Sequence, residues 1–578
     1  MDRQTFYGTS ISSHRFLRDA AEFAEDTEGA TDIAITGPPP GGDGSDIEQL
    51  DDDNLEENVM PKEIASEVDV FYEDHEELVE NISRKSKRNK RDLPKWKHSH
   101  IDSQPDIFQD KQESAKQKLL EKCPDLAGAS EWAVFEKVFQ NMLTHLVCET
   151  NKYAKRDCNI PNFNLSCEEM YNFLGLLLLS GYNLRTSERD YWSKAPDLSC
   201  RAFAETMSRN RFQQIKHVIH AADNQSLSSE KMAKISPLYE MLNQSLLMFG
   251  VLHEYLSIDE SMVPYFGRHS CKQFIRGKPI RFGFKCWVIA SSSGMPYKVT
   301  IYQGKNGKHN KDVPLGTRVV MDCLEVCDKP TSHHIFFDNF FTSFDLISNL
   351  KSLGYRATGT VRENRTKGCP VKSVQEMKKN SRGSYDYRSD GEVEVVRWND
   401  NAVVSFCSNA TGIEPITQVK RWEKKKGTVM VSQPKVVAQY NSGMGGVDLM
   451  DRALADYRPA IKGKKWYWPL LVNVINIAVV YSWRVYQLCT NAQMTQKEFR
   501  RSLVAVMLKQ SQPRPRAESL PGPSSPVPIE VRTDNRKHYP QSCPVRRCTV
   551  CKKNCRIQCS KCNKSMHLNN CFQIYHEK

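Results

Sequence analysis

Two aspartates stand where a buried strand would carry apolar side chains, and this constrains the fold more than any other feature of the sequence. Asp259 closes the run YLSID, in which Leu256 and Ile258 are apolar, and Asp338 follows Ile335, Phe336 and Phe337 in HHIFFDNFF. Desolvating a carboxylate in such a strand is costly unless something offsets the charge, and a divalent cation would do so. A third aspartate, Asp448, comes just after the glycines of NSGMGGVDLMD, where a helix is predicted to begin at or near Val447. The helix dipole favours an acid in that first turn, and Asp451, three residues on, shares its face. Taken singly, each aspartate also reads as a turn or helix cap. Taken together, three or four carboxylates from two strands and a helix suit a pair of Mg2+ ions about 4 Å apart acting on a phosphodiester.

The pattern around these acids changes along the chain. Residues 1–113 read as disordered, first acidic (Asp51, Asp52, Asp53, Glu76, Glu77) and then basic (Arg84, Lys85, Lys87, Arg88, Lys90, Arg91, Lys95, Lys97). The basic stretch reads as a nuclear-import signal, with a solvated linker as the other reading. Order is expected from about Ser114. Phe135, Val138, Phe139, Met142, Leu143, Leu146 and Val147 recur at helical spacing, and Glu168–Leu179, Arg201–His220 and Ser236–Phe249 read as further helices. Strands are predicted over Tyr255–Pro264, Phe284–Ser291, Val299–Gln303 and His334–Phe340. A second β-rich stretch covers Ala357–Arg362, Ser384–Arg388, Glu392–Trp398 and Ala402–Cys407. Helices return over Gly446–Tyr457 and Trp466–Gln487.

With 578 residues and a net charge of +12, the chain is long enough for several domains and suited to a polyanion such as nucleic acid. The apolar runs Phe173–Gly181 and Trp468–Trp483 read as buried helices, so no membrane partner is expected. No secretory leader is evident, so disulfides are not expected among the 19 cysteines. The last part of the chain points to metal instead. Cys548 and Cys551 form one C-x-x-C pair, Cys559 and Cys562 another, and His567, Cys571 and His576 follow. Two tetrahedral Zn2+ sites need one ligand more; Cys543 and Cys555 compete for the place with His538. A segment of this size buries little core, so zinc is expected to fold it.

Lys272, Arg276, Lys278, Arg281 and Lys285 cluster after the first aspartate, and Lys462, Lys464 and Lys465 lead into Trp466. Basic residues beside aromatics suit phosphate and base contacts, with core packing as the other reading for the tryptophan. Arg209, Arg211, Lys216 and His217 give one helix a basic face that fits phosphates or solvent equally.

From about Trp132 to the C-terminus the chain resembles the piggyBac transposase family. The resemblance is carried by SIDESMVPYFGRHSCKQFIRGKPIRFGFK, FFDNFFTS, RATGTVREN, YNSGMGGVDLMD and KGKKWYWPLL, and the tail pattern agrees. It implies an α/β multidomain protein with an RNase H-like catalytic core. In that core Asp259, Asp338 and Asp448 bind Mg2+, for which Mn2+ may substitute, and Asp451 is a further acid beside the third. A β-rich insertion would fall at residues 363–424, between core segments 251–362 and 425–452. Flanking helical segments 114–250 and 453–510 would form an all-α domain for dimerisation and DNA binding. A Pro-rich linker (511–535) would lead to a cross-brace zinc finger (536–578), in which His538 matches a ligand position of related tails. The implied activity is cut-and-paste transposition in the nucleus, by a homodimer on double-stranded DNA. It would run through hairpin intermediates and insert at TTAA. The alternative is a host-recruited nuclear DNA-binding protein that keeps the fold without transposing.

Overall fold

The structure is a computed structural model. It describes residues 94–101, 111–275, 280–304, 313–424, 427–509, 527, 529–534 and 536–577, and the backbone of four short strands nearer the N-terminus. The chain divides into a large unit, Met1–Gln512, and a small one, Pro513–Lys578.

Four short strands lie within the N-terminal region expected to be disordered. β1 (Thr5–Phe6), β2 (Thr9–His14), β3 (Ala30–Thr36) and β4 (Glu67–Tyr72) are strands, and β3 pairs with the later strand β6 (Lys272–Ile275). The acidic composition hid two short runs of period-two alternation, ATDIAIT and EVDVFY. Part of the basic stretch is ordered too. The backbone of Lys97 exchanges both hydrogen bonds with Ser389, at 2.7 and 2.9 Å, and Trp96 packs edge-on against Phe344. The rest of the basic stretch, Arg84 to Arg91, lies outside the described residues.

The helices that follow are amphipathic or wholly apolar, as their sequences require. After α1 (Lys111–Lys122), α2 (Glu131–Arg156) buries the row from Val134 to Leu146 and is capped by the Ser130 hydroxyl, which accepts from the Ala133 N–H. α3 (Cys167–Ser180) is buried from Met170 onward. The single helix expected over Arg201–His220 is two, α4 (Arg201–Thr206) and α5 (Arg209–Val218). Ser208 divides them, because its hydroxyl accepts from the Arg211 N–H and starts a new helix there. α6 (Ser236–Leu247) completes this first helical segment.

One sheet organises the unit. β5 (Tyr255–Pro264) pairs antiparallel with β7 (Phe282–Ser291), which pairs with β8 (Pro296–Ile301). On its other edge β5 pairs in parallel with β9 (His334–Phe337), and β9 with β10 (Arg356–Thr360). Two amphipathic helices not foreseen in the sequence, α7 (Leu315–Leu324) and α8 (Phe344–Ser352), provide the crossovers. Alternation along β5 sorts its side chains. Leu256 and Ile258 pack among α7 and α8, while Ser257 and Ser261 face the helix that carries the third aspartate.

The β-rich stretch after β10 continues this sheet. A short helix, α9 (Val374–Lys379), precedes β11 (Tyr385–Ser389), β12 (Glu394–Asn399) and β13 (Val403–Ser408), and β13 pairs antiparallel with β10. β14 (Thr417–Glu423) and β15 (Gly427–Gln433) form a separate hairpin that runs past residue 424. Then come α10 (Lys435–Gly443), α11 (Gly446–Asp456), α12 (Trp468–Thr490) and α13 (Gln496–Lys509). α12 is long and apolar enough to cross a membrane, but 83% of its apolar window is buried. It belongs to the same buried cluster as Phe284, Cys286, Val288 and Ala290 of β7, so helices and sheet share one core.

The small unit pairs β16 (Pro540–Arg547) with β17 (Asn554–Cys559) and ends in a helix, Cys571–Glu577. Its core is four cysteines with Met566 and Tyr575, too little apolar surface to hold a fold by itself.

Candidate functional site

The parallel register of β5 and β9 runs from Tyr255↔His334 to Ile258↔Phe337. Asp259 and Asp338 therefore each stand one residue beyond the last pair, on neighbouring strands. Asp259 is buried at 7% exposure, and one carboxylate oxygen accepts from the Glu260 N–H at 2.8 Å. Asp338 ends its strand: its carboxylate accepts from the Phe340 N–H at 2.9 Å and its carbonyl from the Thr342 hydroxyl at 2.7 Å. This turn is why β9 stops at Phe337 and not at Phe340.

Three glycines bring the third aspartate to the same place. A Cβ at Gly443 would lie 2.2 Å from the Phe336 ring, and one at Gly446 would lie 2.0 Å from the Ser291 carbonyl oxygen and 2.7 Å from the Ser257 hydroxyl. Gly445 caps α11 with φ at +96°, a conformation that side chains disfavour. The start of α11 thus lies directly on the strands, with Asp448 in its first turn. Gly446→Ala is expected to shift the helix start, because the clash is with backbone. It should cost about 1–3 kcal/mol of stability in a denaturant titration, and metal-dependent DNA cleavage should fall further than that loss explains. Equal melting and cleavage in the two proteins would refute the close-approach account.

The charges of all three acids reach the half-buried Tyr440 of α10. Burial raises its phenol far above the ordinary range, and the charges of Asp338, Asp259 and Asp448 push the same way against a hydrogen bond with Thr360. Hard carboxylate oxygens from three elements are the donor set that Mg2+ or Mn2+ prefers. The acids are more loosely set than the tail ligands described below, whose atoms close to within 4.8 Å of one another. Asp451 is held against β5. It accepts from the Ser261 hydroxyl at 2.5 Å, and its charge reaches half-buried Arg458. Tyr440 and Ser261 were missed in the sequence. The only local signal was that Tyr440 opens the glycine segment.

The basic residues singled out earlier divide. Lys272, Lys285 and Lys465 are buried, at 3–5% exposure, which corrects their assignment to phosphate contacts. The Lys272 ammonium donates to the Gly267 carbonyl at 2.8 Å, and burial pushes its pKa down to about 8. Lys285 sits 4.3 Å above the Trp287 ring, and Lys465 donates to the Ile219 carbonyl at 3.1 Å. The cause is common to all three: their strands and loop are covered on both sides, so the ammonium finds an internal carbonyl or ring. Lys462 and Arg281 are exposed and Lys464 half-buried, while Arg276 and Lys278 lie outside the described residues. Trp466 is half-buried against His269, with ring centroids 4.3 Å apart. On α5, Arg211 grips Glu169 through two hydrogen bonds and Lys216 bonds Glu188 at 2.6 Å. The basic face of that helix is thus partly neutralised from within, while Arg209 and His217 remain exposed.

In the tail, two sets of four ligands form: Cys548, Cys551, His567 and Cys571; and His538, Cys559, Cys562 and His576. Cys543 and Cys555 belong to neither. Along the chain the sets interleave. Both C-x-x-C turns are built alike. The Cys548 N–H donates to the Lys553 carbonyl and the Cys559 N–H to the Lys564 carbonyl, with Lys552 and Asn563 at positive φ. Each histidine points one ring nitrogen at a cysteine sulfur and engages the other elsewhere. His538 Nε2 meets Asp534 at 3.0 Å, His567 Nε2 the Asn554 carbonyl at 3.0 Å, and His576 Nδ1 the Phe572 carbonyl at 2.7 Å. Such outer hydrogen bonds fix the tautomer that a metal-ligating imidazole needs. Four soft or borderline donors per site, with no open position, fit structural zinc.

The family of Transposase IS4 matches residues 130–483 of the chain. Over 424 residues the chain is 37% identical to the human piggyBac transposable element-derived protein 3, covering 72% of this chain and 71% of that protein. Over 389 residues it is 37% identical to the human piggyBac transposable element-derived protein 2, covering 65% of each. A solved chain, from the cryo-EM structure of a piggyBac transposase synaptic complex with hairpin DNA, shares the fold with a TM-score of 0.56 at 22% identity. That match covers 76% of this chain and 95% of the solved one.

Proposed function

The chain belongs to the Transposase IS4 family, among its piggyBac-type members, and from that premise we propose that it is a cut-and-paste DNA transposase. In this reading Asp259, Asp338 and Asp448 hold divalent metal, Mg2+ or Mn2+, in an RNase H-like core. The strand order β8–β7–β5–β9–β10, with β5, β9 and β10 parallel, supports that core. Bound ions would activate the attacking oxygen and stabilise the leaving one. The protein's own part is positional. The turn after Asp338 and the glycine contacts of α11 fix two carboxylates, and the adjoining β5 fixes the third. Asp451, held by Ser261, acts as a positioning residue. The zinc-bound tail and the exposed Lys462 and Arg281 would hold duplex DNA as a homodimer, in the nucleus. Cleavage through hairpins and joining at TTAA complete the proposal.

What supports this reading is that Asp259 and Asp338 stand at matching ends of neighbouring strands, while the glycine-led start of α11, with Asp448 in its first turn, packs on those strands. The relatives described as transposable element-derived support a second reading, a DNA-binding protein that no longer excises. An excision assay separates the two. Purified protein, Mg2+ and a donor flanked by the inverted repeats that border this sequence should yield excised element. Binding to those ends without excision would favour the second reading.

A further inference from the structure

Trp422 is 70% exposed, more than any other large apolar side chain among the described residues, and Met430 beside it is 57% exposed. Both lie on the hairpin β14–β15, whose register pairs Lys420 with Met430 and Trp422 with Thr428. Alternation gives the hairpin two faces. Val419, Val429 and Val431 pack inward against the cluster around Trp398 and Phe406, while Lys420, Trp422, Thr428 and Met430 face out.

This outer face is not loose. Arg421 donates to Asp400 at 3.1 Å, Arg382 holds the same carboxylate and also reaches the Trp422 carbonyl, and Trp398 donates to the Ser432 carbonyl at 2.8 Å. The indole is therefore held out in water by a braced strand, at the cost of its own burial. Its surroundings are cationic: the segment KRWEKKK has five basic residues against one acid, and the outer face carries no acid. A rigid, exposed indole flanked by ammonium groups has the makeup of a stacking platform for nucleic acid.

We propose that the outer face of this hairpin is a DNA contact, in which Trp422 stacks on an unpaired or splayed base and Lys420 and Lys424 neutralise the flanking phosphates. The inference rests on the DNA-handling reading above and adds to it a surface that the aspartates and the tail do not provide.

The test uses the full chain with no added Mg2+, so that no strand is cut and stacking is read apart from catalysis. The probes are a short duplex with a single-stranded extension carrying 2-aminopurine, and its blunt counterpart. Trp422→Ala should bind the extended duplex about tenfold more weakly and lose the quenching of the fluorescent base. Trp422→Tyr should keep most of both, and the blunt duplex should change by less than about twofold. Lys420→Gln should lower the salt slope by about one. Melting curves of the variants should match the parent, because the side chain is exposed. If Trp422→Ala binds the extended duplex like the parent, the proposal is overturned. If it instead changes only the sedimentation of the protein, the face belongs to a protein contact and the proposal fails equally. Loss of excision with intact Trp422 stacking would count against the transposase reading alone.

Discussion

Asp338→Asn should reduce strand cleavage by roughly a thousandfold or more while leaving binding to uncut DNA nearly unchanged. The argument starts from the charge set. The charges of Asp259, Asp338 and Asp448 all reach Tyr440. Like charges gathered at a partly buried site raise one another's energy. A divalent ion held by these carboxylates would offset that cost and, in the proposed function, would supply the chemistry. Removing one charge while keeping the shape should therefore separate stability from function. Without metal, the Asn variant should melt at the parent's temperature or above it. With saturating Mg2+, the parent should gain stability according to its affinity, and the variant much less. Cleavage and Mg2+-dependent melting are the two measurements. A variant that still cuts, or a parent whose melting ignores Mg2+, would remove the metal from the account.

The second large effect concerns the tail. Half of its apolar core, Cys548, Cys559 and Cys562, is its own ligands, so metal loss should unfold the tail's two-stranded sheet and last helix outright, in line with the roughly 10–16 kcal/mol that zinc contributes to small modules. Calorimetry after treatment with a strong chelator should show the large unit's transition with the tail's gone. Because the two ligand sets alternate along the chain, Cys559→Ser should damage both sites. Metal analysis should give two zinc ions per parent chain and fewer than one in the variant. Two ions retained in the variant would mean that the sets are independent of Cys559.

What could be read in the sequence was local. An aspartate ending an apolar run, glycines before a helix, and cysteines two apart each carry their meaning within a few residues. The three aspartates and seven of the eight tail ligands stood out on that basis, and His538 followed from resemblance. What could not be read was tertiary. Lys272, Lys285 and Lys465 look like surface cations until the covering layers are in place. Tyr440 gains its role only when β5, β9 and α11 meet. The strands β3 and β4 were outvoted by the acids around them, because composition averages over a window whereas pairing depends on a partner, which for β3 includes a strand more than two hundred residues away. The pairing of tail ligands is likewise a property of the folded knuckles.

The delivery of the third carboxylate by α11 has a bearing on how the protein is made. Asp448 follows Asp338 by 110 residues (448 − 338). At about 5–20 residues per second, a ribosome takes on the order of ten seconds to cover that stretch. Throughout that interval the nascent polypeptide has two acids on adjacent strands and no third. On the transposase reading, a fragment released early, by a premature stop or a protease, would therefore be unarmed, and synthesis past α11 would act as a safety catch on DNA cleavage.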